Sequence, residues 1–284
     1  MPQYPRKRPR REIVIGAAAF TLVLVWYLAR RHADIQPATS ASAETHRTYF
    51  TNFPLTEKPI LEDGNWINGR AVGIDWADIR TTPAFAFGTE SGDVRYDDST
   101  ALLTGAWGPN QTAQATVHTV SPNDKTYEEV ELRLRSTLSA HKATGYEINF
   151  RCSKTPNAYT QIVRWNGRFG SFTILKAGQG SKFGVADGDV VRATIVGNVI
   201  KSYINGVQML QTTDDTYQSG NPGMGFYLEG ATGVNADFGF TRFAGTDGPP
   251  NDLQAHSTTR GRVWRPAGPL PDLLGRSEAL LFSR

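Results

Sequence analysis

The chain lacks the means to form an internal disulfide, because Cys152 is the only cysteine among its 284 residues. An exported domain of this sequence would therefore depend on its hydrophobic core for stability. Cys152 ends a predicted strand and has no histidine near it in sequence, which favours a buried, inert thiol over a nucleophile. Beyond residue 47 no segment keeps a sustained helical period, which excludes a mainly α-helical fold.

The chain also lacks a basic excess outside its N-terminus. Its formal net charge is +3, but residues 1–34 hold seven of the 30 Lys and Arg and two of the 27 Asp and Glu. The remainder therefore carries 23 basic and 25 acidic residues, a net charge of −2. This balance gives no support to nucleic-acid binding, and we expect no nucleic-acid partner.

Long hydrophobic runs are scarce, and the one that stands out is Ile13–Ala29, with Trp26 and Tyr27 near its far end. Arginine clusters bracket this run, which predicts a transmembrane signal anchor at 13–29 after a basic cytoplasmic flank at 1–12. The folded part would then lie on the extracytoplasmic side of a single-pass membrane protein. The alternative is secretion after cleavage at Ala41-Ser42-Ala43, although this site is far from the apolar run.

Short apolar-alternating segments between turn signals fill the rest of the chain and predict an all-β, antiparallel sandwich at 48–245. A polar linker at 30–47 precedes it, and a Pro/Gly-rich tail at 246–284 follows it. The alternation predicts a core containing Val130, Leu132, Leu134, Ile148, Phe150, Val191, Ile195, Ile200, Ile204, Phe226, Phe238 and Phe240.

The segment 186–227 carries the most specific pattern. A strand ends at Gly197-Asn198, a second strand runs back to Asn205-Gly206, and a polar loop leads to a third strand that ends in GFY. This order of signals resembles the concanavalin A-like (laminin G-like) jelly-roll superfamily. The resemblance implies a two-sheet jelly roll that binds or cleaves carbohydrate, with the sugar groove on one concave sheet.

Strand alternation also predicts a polar patch on one sheet face, because residues at i and i+2 of a strand share a side. If the consecutive strands are neighbours, one face gathers arginines, a carboxylate, an amide and a tryptophan, which suit sugar hydroxyls, a stacked pyranose or an acidic sugar. The candidate glycan-binding residues are Arg133, Arg135, Glu147, Asn149, Arg151 and Trp165. A solvated sheet face is the simpler alternative.

Catalytic signals are weaker than binding signals. Laminarinase-type relatives of the fold place E-x-D-x-x-E on one strand, whereas the nearest segment here, Glu128 to Glu131, lacks the central aspartate. A lyase would need a base, and His118 and His141, the histidines of the domain, fall at strand ends or in loops. We therefore predict no catalytic residue and expect a membrane-anchored, lectin-like domain that recognises an envelope or extracellular glycan. A polysaccharide-cleaving enzyme and a structural sandwich that binds protein remain alternatives.

Calcium is the cofactor that the resemblance implies, since sandwiches of this superfamily often hold one Ca²⁺ between the first and last strands. The candidate ligands are Glu62 and Asp63 near the start of the domain and Asp237 in the predicted last strand. A solvated aspartate at a sheet edge is the alternative for Asp237.

Overall fold

A computed structural model describes most of the predicted domain. The described residues are 46–68, 76–93, 95–120, 126–230, 233–250 and 253. Within them, no helix has the length and apolar character needed to cross a bilayer. The predicted flank 1–12, the anchor 13–29, and nearly all of the linker and tail lie outside the described residues.

Nearly all regular structure in this part of the chain is β-strand, with two short 3-10 turns at Ser181–Phe183 and Asn235–Asp237. The strands are β1 (Thr48–Thr51), β2 (Trp66–Asn68), β3 (Arg80–Thr82), β4 (Phe85–Phe87), β5 (Ser99–Leu103), β6 (Gln111–Thr119), β7 (Tyr127–Ser139), β8 (Lys142–Arg151), β9 (Tyr159–Gly167), β10 (Phe172–Gln179), β11 (Val190–Val196), β12 (Val199–Ile204), β13 (Val207–Thr213), β14 (Asn221–Glu229) and β15 (Phe238–Thr246).

The strands form two antiparallel sheets. The seven-stranded sheet has the order β10-β9-β8-β7-β14-β5-β2. The eight-stranded sheet has the order β13-β12-β11-β6-β15-β4-β3, with β1 paired to β15. This pairing confirms the predicted all-β two-sheet sandwich, and the N-terminal helix predicted before it falls outside the described residues.

The core lies between the two sheets and contains all twelve residues that alternation predicts there. Phe226 of one sheet packs against Phe238 and Phe240 of the other, with ring centroids 6.4 and 5.2 Å away. Cys152 is buried in the same core, and burial raises the pKa of its thiol well above the ordinary value. Contacts of this kind hold the sheets in a fixed relation, which positions the outer face of the seven-stranded sheet.

The hairpin dipeptides behave as predicted, and two neighbouring predictions need correction. Asn205 and Gly206 adopt positive φ angles of 51° and 81°, which permit the tight turn after β12. The residues that follow form edge strand β13 instead of a polar loop; only Leu210 of this strand is buried, so its sequence lacks clear alternation. Asp237 lies in the 3-10 turn before β15, not within the last strand.

Candidate functional site

The outer face of the seven-stranded sheet brings most of the predicted polar residues together. In the register of β7, β8 and β9, Arg133 lies opposite Glu147, and Glu131 lies opposite Asn149. Asn149 in turn lies opposite Gln161 of β9. Their inward neighbours belong to the core, so period-2 alternation places this polar set on the other side of the sheet.

Of these residues, all except Arg133 line a cleft of about 230 Å³, which we call the acidic cleft. Side chains from β7, β8, β9, β10 and β14 form it, together with the segment that precedes β5. The lining residues are Tyr96, Asp98, Tyr127, Glu129, Glu131, Glu147, Asn149, Tyr159, Gln161, Val163, Trp165, Phe172, Ile174, Tyr227 and Glu229.

Arg133 holds three carboxylates together at the edge of the acidic cleft. Its Nη2 donates to Glu131 Oε2 at 2.5 Å and to Asp98 Oδ2 at 3.2 Å. Its Nη1 donates to Glu147 Oε2 at 2.6 Å. The neighbouring strand β14 leaves room for this cluster at Gly225, because a Cβ at this position would lie 2.2 Å from Glu131 Oε2.

Three carboxyl groups of the cleft, those of Asp98, Glu129 and Glu131, are shifted toward their protonated forms. Burial raises the pKa of Glu129 to about 8 against the hydrogen bond from Tyr159, and the charge of Glu147 adds to the rise. Burial also raises the pKa of Asp98 to about 7, and that of Glu131 well above its ordinary value despite the Arg133 guanidinium. One guanidinium does not compensate so many desolvated carboxylates.

Trp165 is placed on this face as predicted, but its ring is 4% exposed. It packs against Trp76 and Phe172, with ring centroids 4.5 and 5.3 Å away, and its Nε1 donates a hydrogen bond to Glu147. A ring covered in this way offers little surface for a stacked sugar. Trp165 therefore forms part of the wall that shapes the cleft.

The exposed aromatic rings of the cleft are Tyr96 and Tyr127, which sequence analysis did not single out. Tyr127 is 45% exposed, and the Cζ atom of Arg151 lies 4.2 Å from its ring centroid. Tyr96 comes from the segment before β5 and lies 5.3 Å from the ring of Phe172. No local sequence pattern identifies these two rings, because Tyr127 is the first residue of its strand and Tyr96 lies between strands.

Asn149 lines the cleft and has an acceptor that no described residue satisfies. Its Nδ2 donates to Glu147 Oε1 at 3.1 Å and to Gln161 Oε1 at 3.4 Å, which fixes the orientation of the amide. Its Oδ1 is buried and accepts no hydrogen bond from the described residues. A buried acceptor of this kind ordinarily has a partner, so a ligand or water that donates a hydrogen bond would satisfy it.

Arg135 does not join the patch, although alternation predicts that it should. A bulge follows Leu134, and Arg135 has a φ of 45°, which redirects the side chain. Its guanidinium donates instead to backbone carbonyls of three separate loops. These are the carbonyls of Pro109, Gly197 and Tyr217, at 2.6, 2.7 and 3.0 Å.

A second cleft continues along the same sheet from the acidic cleft. The two share Tyr127, Tyr159 and Gln161, and the second extends to Arg151 and the end of β10. Arg151 belongs to this second cleft, where its Nη2 donates to the carbonyl of Thr126 at 2.6 Å. Together the two clefts form a groove that suits an extended ligand better than a compact one.

The predicted calcium ligands do not converge. Glu62 accepts hydrogen bonds from Thr51 at 2.5 Å and from Trp66 at 3.1 Å, and Asp63 is exposed. Thr51 pairs with Phe243 of β15, so Asp237 lies six residues away, roughly 20 Å along an extended strand.

The acidic side chains that do converge are Asp98, Glu131 and Glu147, whose carboxylate oxygens lie within 4.8 Å of one another. Carboxylates are suitable ligands for Ca²⁺. Here, however, the Arg133 guanidinium already donates hydrogen bonds to one oxygen of each of the three, so these oxygens already have a cationic partner. We therefore assign no metal to this cluster.

The strand pairing defines an antiparallel two-sheet β-sandwich, as the sequence pattern predicts. No protein-family model matches the sequence, and no curated protein matches it either. The chain resembles solved structures that include a carbohydrate-binding module, CBM66, of Bacillus subtilis, with 16% identity over 64% of this chain and 91% of the other and a TM-score of 0.42.

Two further solved structures have comparable likeness. The VIP36 exoplasmic/lumenal domain in its Ca²⁺- and Man-bound form has 12% identity over 69% of this chain and 91% of the other, with a TM-score of 0.47. A GlcNAcα1-4Gal-releasing endo-β-galactosidase of Clostridium perfringens has 9% identity over 74% and 65%, with a TM-score of 0.44. The fold of this chain is established by its own strand pairing.

Proposed function

We propose that the groove on the seven-stranded sheet binds a glycan without cleaving it. The observation that carries this proposal is the combination of exposed Tyr127 with the buried, unpaired Asn149 Oδ1 in one cleft that continues into a second. Sugar rings present apolar faces that pack on aromatic rings and hydroxyl groups that donate hydrogen bonds. An elongated groove with both features fits several consecutive residues of a polysaccharide.

Side chains that line the groove are also fixed in position by their neighbours. Asn149 and Trp165 each contact Glu147, which Arg133 holds in turn. Side chains fixed by their neighbours lose little conformational entropy on binding. The buried ion pairs therefore support a preformed wall for the ligand, whatever their net effect on stability.

A glycan array probed with the full chain tests the proposal. Binding to at least one polysaccharide, weakened about tenfold on replacement of Tyr127 by Ala and retained on replacement of Tyr203, is the expected result. Tyr203 is the matched control because it lies on the outer face of the other sheet, with Arg192 4.4 Å from its ring. Failure to bind any glycan would overturn the proposal and favour a sandwich that binds protein.

One observation favours a second candidate, hydrolysis of the bound glycan. Asp98, Glu131 and Glu147 have carboxylate oxygens within 4.8 Å of one another, close to the roughly 5 Å spacing of retaining glycosidases. The pKa of Asp98, raised by burial to about 7, suits a general acid. Incubation of array hits, followed by measurement of new reducing ends, decides between the two; product that disappears in an Asp98→Asn variant would establish catalysis.

We further propose that Ile13–Ala29 is an uncleaved anchor and that the sandwich faces the extracytoplasmic side. The supporting observation is the pattern of arginines that bracket this apolar run. A flexible linker of residues 30–47 would have a root-mean-square span of roughly 20–25 Å and would tether the sandwich near the membrane. Intact-mass measurement on protein from native membranes tests this; a mature N-terminus at Glu44 would show that the protein is released.

A further inference from the structure

The acidic cleft has a marked imbalance of charge. Five carboxylates line it, and none of the described lysine or arginine side chains does. The carboxylates are those of Asp98, Glu129, Glu131, Glu147 and Glu229. The guanidinium groups of Arg95, Arg133 and Arg151 contact residues of the lining, and the carboxylates outnumber even these three.

Each of those guanidinium groups is already engaged. Arg133 donates to three carboxylates, and Arg95 pairs with Glu229 at 2.9 Å on the rim. Arg151 bonds a backbone carbonyl and lies against the ring of Tyr127. The arginines that would suit an acidic sugar are therefore not available to bind one, and a uronate or sulfate would meet excess negative charge.

The hydrogen-bonding groups of the cleft point the same way. Carboxylate oxygens and the free Asn149 Oδ1 are acceptors, and Glu129 accepts from the neutral hydroxyl of Tyr159 instead of from a guanidinium. An ammonium group offers three donors and no acceptor, so it complements such a lining. The rings of Tyr96, Tyr127 and Tyr227 add surfaces that attract a cation.

We propose that the acidic cleft selects a sugar that bears a free amine, so that the ammonium group lies among these carboxylates, Asn149 Oδ1 and the tyrosine rings. This inference rests on the proposed function, since it names the class of glycan that the same groove takes. Burial is the main cause of the raised pKa values of Asp98 and Glu129, and a bound ammonium group would lower both by favouring the ionised carboxylates.

Calorimetric titration of the full chain tests the inference with tetrasaccharides that share one β-1,4-linked backbone. The four probes are oligomers of glucosamine, N-acetylglucosamine, glucose and glucuronate, at about pH 6, where an amine is largely protonated. We expect the glucosamine oligomer to bind about tenfold or more tightly than its neutral counterparts, from one or two charge-assisted hydrogen bonds. Its affinity should fall as salt is added, whereas a neutral ligand should show little dependence on salt.

A Glu129→Gln variant sharpens the test because it keeps the shape of the side chain and removes a carboxyl group whose ionised form a bound ammonium group would favour. It should lose about tenfold in affinity for the glucosamine oligomer and stay within about twofold for a neutral one. Asp215→Asn, at an exposed acid outside the cleft, is the control and should change neither. If Glu129→Gln does not fold, the salt dependence of binding by the unaltered chain still tests the inference.

The outcomes separate the two proposals. Equal binding of glucosamine, N-acetylglucosamine and glucose oligomers, or preference for glucuronate, overturns the amine inference and leaves glycan binding intact. Binding of a simple amine such as ethanolamine without binding of any sugar overturns both, as does binding of none of the probes.

Discussion

The outer faces of the two sheets have similar sequence patterns and opposite environments. On the outer face of the eight-stranded sheet, Arg192 lies opposite Tyr203, and Thr194 lies opposite Lys201. Thr194 is mostly covered, whereas the other three side chains keep contact with water. On the seven-stranded sheet, Arg133 is 2% exposed, and its carboxylate partners are equally covered.

The difference comes from the segment between β2 and β5. It places Trp76 against Trp165 and Asp98 beside Arg133, and so covers a face that alternation alone would leave to solvent. A polar strand face therefore becomes a site when a segment distant in sequence covers it and excludes water. Desolvation strengthens each interaction there and raises the cost of leaving any group unpaired.

The largest expected effect is that of Arg133→Met, compared with Arg192→Met. Loss of Arg133 leaves three buried carboxylates without their cation and should cost about 3–5 kcal/mol in the free energy of unfolding. Arg192→Met, on the open face, should change it by less than about 1 kcal/mol. Urea denaturation measures the free energy of unfolding of both variants. The loss caused by Arg133→Met should become smaller as pH falls, because the carboxylates then become protonated. Equal losses at the two positions would contradict the comparison.

A second effect is the pH dependence of stability. The pKa of Glu129 is about 8 in the folded chain, above the ordinary value of 4.5, so the folded state holds a proton that the unfolded state releases. Its contribution to stability is fully present below about pH 4.5 and is lost as pH rises toward 8, with a slope of up to about 1.4 kcal/mol per pH unit. Urea midpoints at several pH values should therefore fall less steeply for Glu129→Gln. Replacement of exposed Asp215 by Asn serves as control, and identical slopes for all three proteins would refute the assignment.

Gly225→Ala should have an intermediate effect. The new Cβ would lie 2.2 Å from Glu131 Oε2 and 3.0 Å from Arg133 Nη2, so the ion cluster must move. We expect a loss of about 1–3 kcal/mol in stability together with weaker glycan binding. Gly245→Ala is the control in the eight-stranded sheet, where the nearest atom is Leu103 Cδ1 at 3.2 Å and can yield. Thermal unfolding and the glycan array measure the two effects, and unchanged binding in Gly225→Ala would show that the cluster does not shape the groove.

The smallest expected effect on stability is that of Tyr127→Ala, which should fall within about 0.5 kcal/mol because the ring is half exposed. The same change should weaken glycan binding by about tenfold, since an aromatic anchor at a binding surface is worth more than 1 kcal/mol. Calorimetry and urea denaturation on one preparation separate the two quantities. A large loss of stability with unchanged binding would assign Tyr127 to the scaffold.

The sequence by itself determined the sandwich and its inner face. Period-2 alternation identifies Val130, Ile148 and Val191 as core, because successive side chains of a strand must point to opposite sides. The Asn205-Gly206 dipeptide identifies a hairpin, because few residues adopt its backbone angles without strain. Local geometry decides both features, and local geometry can be deduced from neighbouring residues.

Only the tertiary structure decided which outward residues form the site. A bulge removes Arg135 from the patch, Trp76 covers Trp165, and Asp98 joins Arg133 from 35 residues away. The sequence therefore predicts the members of the polar face but neither its charge balance nor its exposed rings. Burial, charge and free hydrogen-bonding groups depend on what packs over a strand, and segments far apart in the chain determine that packing.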